Sequence, residues 1–185
     1  YIWESPSSSI EGVEFLRKKI KDYDGVIAIG SGTVSDSIKY ATFLEKKSYS
    51  VFATTPMNAY TTGTASISFD GIKKSLVAHY AQGVFFDLEV LSMCPKRLTA
   101  AAFADVICRT TAQVDWLMSH KILKTDYQTA PYSLLALYEK DMIESASLIA
   151  KGDIEALALL TRISAIMGLG TSCLLYTSPS PRDLR

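Results

Sequence analysis

The strongest constraint on the fold lies at residues 25–39, where a short apolar run breaks into a glycine turn and continues with helical spacing. The run Gly-Val-Ile-Ala-Ile predicts a strand, Gly30-Ser31-Gly32 predicts a turn, and the residues from Ser35 to Leu44 predict a helix. Glycines leave main-chain N–H groups open to an anion, and the helix dipole favours negative charge at that end. A nucleotide pyrophosphate suits this turn, although two glycines there are equally consistent with a purely steric role.

The segments on either side repeat the alternation of helix and strand. Helical spacing at Val13, Leu16 and Ile20 precedes the turn, and apolar runs at Tyr49–Ala53 and Val84–Leu88 follow it. This order predicts parallel strands joined by helical crossovers. Residues 54–68 are rich in Thr, Ser, Gly and Ala without an apolar period, and we expect them to form a loop over a ligand.

After Pro95 the pattern changes to helices alone, at about residues 98–123, 130–150 and 153–168. We therefore predict the α/β fold class, with a parallel-sheet domain at residues 1–93 and an all-helical domain at residues 94–172.

Composition excludes several classes of partner. The 19 basic and 19 acidic side chains cancel, so no basic excess favours nucleic acid or an anionic membrane surface. No apolar run approaches the ~20 residues of a membrane span. Cys94 and Cys108 show neither a zinc spacing nor a disulfide framework, and Cys173 belongs to the tail discussed below. We expect a cytoplasmic protein that binds no nucleic acid and no membrane.

The segment 99–122 combines a polar and an apolar face if it is one helix. A helical wheel places polar and aromatic side chains on one stripe, namely Asp105, Arg109, Trp116 and His120, and puts Ile107, Val114 and Met118 opposite. The stripe suggests the wall of a polar cavity. The alternative is a solvated Asp105–Arg109 pair worth only ~0.3–0.5 kcal/mol, with His120 stabilised by the helix C-terminus.

His79 lies near Lys73 and Lys74 in the sequence. It could belong to a phosphate-binding loop, but a surface histidine is the expected case.

Four segments stand in one order and spacing: Ile29–Asp36, Thr54–Thr62, Phe103–Arg109 and Asp115–His120. Together they resemble the sn-glycerol-1-phosphate dehydrogenase branch of the superfamily of iron-containing alcohol dehydrogenases and dehydroquinate synthases. The resemblance implies a Rossmann-like domain that binds NAD or NADP, a helical domain that holds one divalent metal (zinc, iron or nickel), and a small, phosphorylated substrate in the cleft between them. It leaves the oligomeric state open, with a homodimer as one option.

The resemblance also implies roles for individual residues. The pyrophosphate turn corresponds to Gly30, Ser31, Gly32, Thr33 and Val34, and the threonine-rich loop beside the cofactor corresponds to Thr54, Thr55 and Thr62. Asp105 corresponds to the catalytic, substrate-contacting and metal-binding aspartate. The family's two histidine ligands would follow Ser172, so His79 and His120 are not expected to replace them.

Two departures from the family pattern limit the substrate assignment. The family usually has Asp-Gly where this chain has Asn58-Ala59, and that aspartate contacts substrate; Asn58 keeps hydrogen bonding but removes a charge. Ala104 also stands where the family often has glycine. Lys73 or Lys74 could meet a substrate phosphate on grounds of charge alone. A dehydroquinate-synthase-like lyase and a non-catalytic nucleotide-binding protein remain the alternative functions.

The two ends of the sequence suggest a fragment. Residues 173–185, with Ser-Pro-Ser-Pro near the end, are similar to a translated sequencing adapter and are excluded from the fold argument. We expect a chain truncated at both ends, which would be inactive by itself because it lacks the histidine ligands.

Overall fold

The fold was analysed in a computed structural model, which describes residues 2, 4, 7–127 and 129–175. The first half alternates helices and strands: α1 (Ile10–Ile20), β1 (Gly25–Gly30), α2 (Gly32–Leu44), β2 (Ser48–Ala53), a 3-10 helix (Asn58–Thr61), β3 (Thr64–Phe69), β4 (Ile72–Val77) and β5 (Gly83–Phe86). The second half is helical: α3 (Leu88–Ser92), α4 (Lys96–Ile107), α5 (Arg109–Leu123), α6 (Ala130–Lys151) and α7 (Ile154–Leu175).

A three-stranded parallel sheet in the order β1-β2-β5 forms the centre of the first half. Gly25 pairs with Ser48, and Ser50 pairs in turn with Gly83. This arrangement confirms the predicted α/β class, with a Rossmann-like parallel sheet followed by helices. The sheet packs one face on α2, and α2 packs in turn on α1. The side chains of Ile27, Ile29 and Phe85 are more than half exposed.

The first core forms where the sequence predicted it. Val13, Leu16 and Ile20 of α1 are fully or almost fully buried, as their helical spacing indicates. The Ser9 hydroxyl caps this helix by accepting a hydrogen bond from the N–H of Gly12, at 3.2 Å. Tyr49 and Ile67 complete the cluster from β2 and β3.

The prediction of an irregular loop over residues 54–68 is wrong in its second part. After the 3-10 helix, β3 pairs with β4 in an antiparallel hairpin. Asp70 and Gly71 form the turn with φ of 49° and 80°, which is the conformation that Asp-Gly favours between two strands. The hairpin did not stand out as an apolar run because β3 alternates its buried residues, Ala65 and Ile67, with Ser and Thr, and β4 is largely exposed.

The helix predicted over residues 98–123 is two helices separated at Cys108. The Thr111 hydroxyl donates to the carbonyl oxygen of Cys108 at 2.6 Å, and the N–H of Ala112 donates to the same oxygen at 3.1 Å. In α5 Trp116 is buried, whereas Val114 and Met118 are more than half exposed. The expected assignment of the two faces is therefore wrong beyond Cys108.

The second core lies between α6 and α7. Met142, Leu160, Ile163 and Met167 are almost completely buried there, and Leu91 of α3 joins them. The helix predicted at about residues 153–168 continues to Leu175, and Asp153 caps it by accepting from the N–H of Ala156 at 3.0 Å. Residues 176–185 of the adapter-like tail lie outside the described residues.

The two halves touch through the 3-10 helix. Met57 and Phe86 pack against both cores, and the Thr61 hydroxyl donates to the carbonyl oxygen of Ala165 in α7 at 2.9 Å. The division at residue 93 stays a prediction. Among the described residues, no helix is both long and apolar enough to cross a bilayer.

Gly168 gives a test of this contact. A Cβ at position 168 would overlap the Thr61 hydroxyl and lie 2.5 Å from the carbonyl oxygen of Asn58. We expect Gly168→Ala to lower the free energy of unfolding by about 1–3 kcal/mol, because the 3-10 helix must move away from α7. Chemical denaturation measures the change.

Gly170→Ala is the matched control, since a Cβ there has no neighbour within 4 Å among the described residues. It should be neutral or stabilise the helix by about 0.5–1 kcal/mol. Equal effects of the two substitutions would contradict close packing at Gly168.

Candidate active site

The glycine turn lies at the carboxyl end of β1, where parallel sheets commonly bind ligands. Gly30 has a φ of 153°, and a Cβ there would lie 2.8 Å from Cγ2 of Val34, so glycine is required for close packing. Ser31 is the N-cap of α2, but its side chain makes no capping hydrogen bond. A Ser31 side-chain cap therefore does not occupy the first-turn N–H groups of α2, and the Ser31 hydroxyl and the exposed Thr33 lie beside them.

The threonine-rich loop begins beside this turn. The N–H of Thr54 donates to the carbonyl oxygen of Gly30 at 3.1 Å, and the Tyr60 hydroxyl donates to the same oxygen at 3.2 Å. Thr55 is buried, and its hydroxyl is 2.5 Å from that of Tyr60. Thr55 thus supports the turn from behind through Tyr60, which is not the direct cofactor contact that the resemblance implies.

Thr62 points its hydroxyl at a buried lysine that the sequence analysis did not single out. The Lys39 ammonium donates to Thr62 Oγ1 at 3.0 Å and to the carbonyl oxygens of Ala59 and Thr64 at 2.6 and 2.9 Å. It also lies 3.3 Å from a carboxylate oxygen of Asp36. Burial lowers the pKa of Lys39, an effect that Asp36 opposes, and burial raises the pKa of Asp36.

Lys39 lies within an ordinary helical pattern, with nothing in its neighbours to indicate burial. The only sequence signal was its spacing of three residues from Asp36, which is usual for exposed pairs on a helix. This is why the pattern did not mark it as a site residue.

Asp105 is brought to the same region by a contact between the halves. The side-chain amide of Asn58 donates to Asp105 Oδ2 at 2.5 Å, so two predicted site residues 47 positions apart meet directly. The other carboxylate oxygen lies 3.5 Å from the guanidinium of Arg109. The ion pair considered in the sequence analysis therefore forms, but beside Asn58 and with only about a third of the Asp105 side chain exposed.

The side chains present supply one ligand for a metal ion. Asp105 is a carboxylate donor of the kind that zinc, iron and nickel accept, and it is partly accessible. No group of three His, Cys, Asp or Glu residues occurs in the part of the chain that the structure describes. Asp105 is compatible with a metal site that needs further ligands, and no complete ligand set is present among these residues.

The two histidines are engaged elsewhere. His79 is partly buried: its ring packs 5.1 Å from that of Tyr49, and Nε2 is 2.9 Å from the Thr42 hydroxyl. The expected surface position of His79 is therefore only partly correct, and burial lowers its pKa. His120 is exposed, and its Nδ1 lies 2.5 Å from the carbonyl oxygen of Thr125.

The two lysines considered for substrate phosphate lie on the exposed strand β4. Lys74 covers the ring of Phe69 at 5.5 Å, and Lys73 is near enough to Asp36 to lower the pKa of that carboxyl.

Comparison with known sequences identifies the family. Residues 1–95 match the sequence profile described as iron-containing alcohol dehydrogenase. The chain belongs to the iron-containing alcohol dehydrogenase family. It is 27% identical over 164 residues to "Glycerol-1-phosphate dehydrogenase [NAD(P)+]" of Geobacillus thermodenitrificans, a match that covers 88% of this chain and 40% of the relative. It is 32% identical over 173 residues to the protein of the same name from Pyrococcus abyssi, covering 91% of this chain and 49% of that one.

Solved structures of iron-containing alcohol dehydrogenases and their relatives share the fold. A glycerol dehydrogenase from Schizosaccharomyces pombe superposes with a TM-score of 0.76 at 18% identity, over 92% of this chain and 47% of that one. An iron-containing alcohol dehydrogenase from Thermotoga maritima gives a TM-score of 0.73 at 16% identity, over 92% and 51%. The chain thus spans about half the length of its relatives, and it shares their fold over most of its own.

The hydroxyl behind the glycine turn gives a pH-dependent test. Burial raises the pKa of Tyr60 from 10 to about 12, so the neutral phenol stabilises the fold below pH 10 and that stability is lost as the pH rises towards 12. The free energy of unfolding of the wild type should fall as the pH rises from 10 towards 12. We expect the fall in Tyr60→Phe to be smaller by on the order of 2–3 kcal/mol, because there is no phenol to ionise at that position. Denaturant titrations between about pH 8 and pH 12 measure how steeply the free energy of unfolding falls with pH around the tyrosine pKa.

Tyr40→Phe is the control, because the Tyr40 ring is only partly buried and stacks on that of Phe43. Burial also raises the pKa of Tyr49, so part of the alkaline loss should persist in Tyr60→Phe. An unchanged slope in Tyr60→Phe would contradict a buried neutral phenol beneath the turn.

Proposed function

We propose that the complete protein containing this chain is a metal-dependent, NAD(P)-linked oxidoreductase that interconverts a small ketone and an alcohol. The preferred pair is dihydroxyacetone phosphate and glycerol 1-phosphate or a related polyol phosphate. The proposal is supported by the family membership and by the names of the two curated relatives, which are glycerol-1-phosphate dehydrogenases.

One observation carries the proposal from fold to site: the hydrogen bond between Asn58 and Asp105. Asn58 lies within the threonine-rich loop that follows the carboxyl end of β2, next to the glycine turn at the carboxyl end of β1. Asp105 belongs to α4 in the helical half. The bond therefore brings a candidate metal ligand to the sheet edge at which a dinucleotide would bind.

In this proposal the glycine turn binds the cofactor pyrophosphate. The N–H groups at the start of α2 and the hydroxyls of Ser31 and Thr33 donate to its oxygens, while Gly32 keeps the approach free of a side chain. Thr54 continues this surface from the neighbouring strand. Thr55 acts indirectly, because its hydroxyl is taken up by Tyr60.

The chain's own residues also organise the reacting end of the site. Asn58 fixes one oxygen of Asp105, which leaves the other, beside Arg109, for a metal ion. The amide oxygen of Asn58 would accept a hydrogen bond from a substrate hydroxyl. When bound, a divalent metal supplies Lewis-acid polarisation of a carbonyl and NAD(P)H supplies a hydride.

Asp105 can be tested by substitution in the complete protein. We expect Asp105→Ala to reduce metal-dependent oxidation of NADH with dihydroxyacetone phosphate by at least about a thousandfold, because a metal ligand and its charge are lost. Asp141→Ala, at an exposed position of α6, is the matched control and should leave turnover unchanged. Unchanged turnover in Asp105→Ala would refute the assignment.

The same assay separates the alternative functions. Net consumption of NADH supports a reductase, whereas a dehydroquinate-synthase-like lyase returns its cofactor unchanged. Binding of NADH without turnover on any small ketone would favour a nucleotide-binding protein.

Asn58 gives an independent test of the metal site. We expect Asn58→Ala to weaken metal binding by about 10- to 100-fold, since a hydrogen-bonding partner of a ligand orients it. Competition with a chromophoric chelator measures the affinity without any turnover. Gln113→Ala is the control, because that amide contacts Tyr127 and not Asp105; equal affinities in wild type and Asn58→Ala would contradict the role of Asn58.

A further inference from the structure

Arg109 has fewer hydrogen-bond partners than its burial calls for. Only 25% of its side chain is exposed, and its one ion pair within the described residues, with Asp105 Oδ1, spans 3.5 Å. Charge-assisted hydrogen bonds are typically about 2.7–2.9 Å long, so this pair is loose. The Nε atom is buried and has no hydrogen-bond partner among these residues. Since a guanidinium carries several N–H donors in a fixed fork, most of its capacity for an anion is unused in this part of the chain.

Arg109 lies beside the carboxylate on which the candidate site centres. It is the first residue of α5, about one helical turn beyond Asp105 in α4. Asp105 Oδ2 accepts from Asn58 in the 3-10 helix, whereas Oδ1 faces the guanidinium. Both side chains of the ion pair keep some exposed surface, so a small molecule can reach them. The guanidinium therefore lies where a small ketone would react in the proposed function.

The metal ion and the guanidinium would draw on the same oxygen of Asp105. In the proposed function Asp105 Oδ1 is a metal ligand, and a divalent cation on that atom would repel Arg109. Arg109 would then lose its charged partner among the described residues while it stays largely buried. A buried cation is stable only where it is paired and hydrogen-bonded, so the loaded site calls for another anion beside Arg109.

We propose that Arg109 binds the phosphate group of the substrate, and so sets the preference for a phosphorylated ketone over an uncharged one. The planar guanidinium donates two parallel N–H groups to two oxygens of one phosphate, a geometry that lysine cannot reproduce. The inference rests on the proposed function, since it takes Asp105 as the reacting centre.

The two lysines considered for the same phosphate have other surroundings. Lys74 lies over the ring of Phe69 at 5.5 Å, and Lys73 is close enough to Asp36 to lower the pKa of that carboxyl. Both belong to β4 of the hairpin. Within the described residues, Arg109 is the one of these three cations that contacts Asp105.

The opposing view is that Arg109 only holds Asp105 in place, as an ion pair one turn apart on a helix does. The two views differ in which substrates are affected when Arg109 is lost. A residue that only orients Asp105 affects every ketone equally, whereas a residue that binds phosphate affects the substrates that carry one. The ratio of kcat/KM between a phosphorylated and an unphosphorylated ketone separates the two views, and it does not depend on the fraction of enzyme that is folded.

The experiment uses the complete protein with NADH and two ketones, dihydroxyacetone phosphate and dihydroxyacetone. We expect Arg109→Gln to lower kcat/KM for the phosphate ester by about 10- to 100-fold, the loss expected for a hydrogen-bonded charge pair. The value for dihydroxyacetone should change by less than about threefold. Arg109→Lys should fall between, because it keeps the charge and loses the fork. Arg97→Gln, at an exposed position of α4, is the matched control and should match wild type.

A binding measurement checks the same assignment without turnover. Calorimetric titration gives the dissociation constants of glycerol 1-phosphate and of glycerol for wild type and for Arg109→Gln. We expect Arg109→Gln to weaken binding of glycerol 1-phosphate by about 10- to 100-fold and to leave binding of glycerol unchanged.

Three results overturn the inference while the proposed function stands. Equal losses of kcat/KM for the two ketones would show that Arg109 acts through Asp105 alone. Unchanged turnover of dihydroxyacetone phosphate and unchanged binding of glycerol 1-phosphate would show that Arg109 does not contact the phosphate. A wild-type preference for hydroxypyruvate that Arg109→Gln abolishes would assign Arg109 to a carboxylate instead. If wild type oxidises NADH with none of these ketones, the proposed function fails and this inference fails with it.

Discussion

The buried ammonium of Lys39 is the interaction on which the arrangement of the candidate site depends. Its Nζ gathers main-chain and side-chain oxygens from residues 59–64 at 2.6 to 3.0 Å, and Asp36 next to it fixes the start of β3. A charge inside a protein is tolerated only where its hydrogen bonds are made, so the segment cannot relax without exposing or stranding that charge. The loop after β2 is therefore an ordered element whose shape is set from within.

The 3-10 helix in this loop is in contact with both halves of the chain. The Thr61 hydroxyl donates to the carbonyl oxygen of Ala165, and the 3-10 helix fills the space that a side chain at position 168 would need. The 3-10 helix therefore packs closely against the backbone of α7. Because Asn58 reaches Asp105, the opposite side of that short helix holds α4. A four-residue element is thus fixed from three directions, and the residues that the resemblance assigns to cofactor, substrate and metal all border it.

Sequence patterns predicted those parts of the fold that follow from periodicity. The strand, turn and helix at residues 25–44 and the buried stripe of α1 were readable because apolar spacing decides them. The hairpin of β3 and β4 was not, since the buried residues of β3, Ala65 and Ile67, alternate with Ser and Thr, and β4 is largely exposed. The break at Cys108 separates α4 from α5, and the burial of Lys39 depends on partners 20 to 25 positions away. Neither feature produces a recognisable pattern in the neighbouring sequence. At the candidate site, the spacing of the motifs indicated Asn58 and Asp105 as site residues, but only the tertiary structure shows that they are in contact.

That contact also gives a physical meaning to the Asn58-Ala59 departure from the family pattern. An amide can donate to the Asp105 carboxylate, whereas an ionised aspartate at position 58 would bring two like charges together. Ala59 supports the same geometry, because its Cβ would lie 3.5 Å from a Cβ at Gly32, so its methyl group lies near the glycine turn. Asn58 therefore hydrogen-bonds to Asp105 without like-charge repulsion, and Ala59 packs against the glycine turn. The two adjacent changes therefore act together: they replace a negative charge at the sheet edge with a neutral hydrogen-bonded link between the two halves.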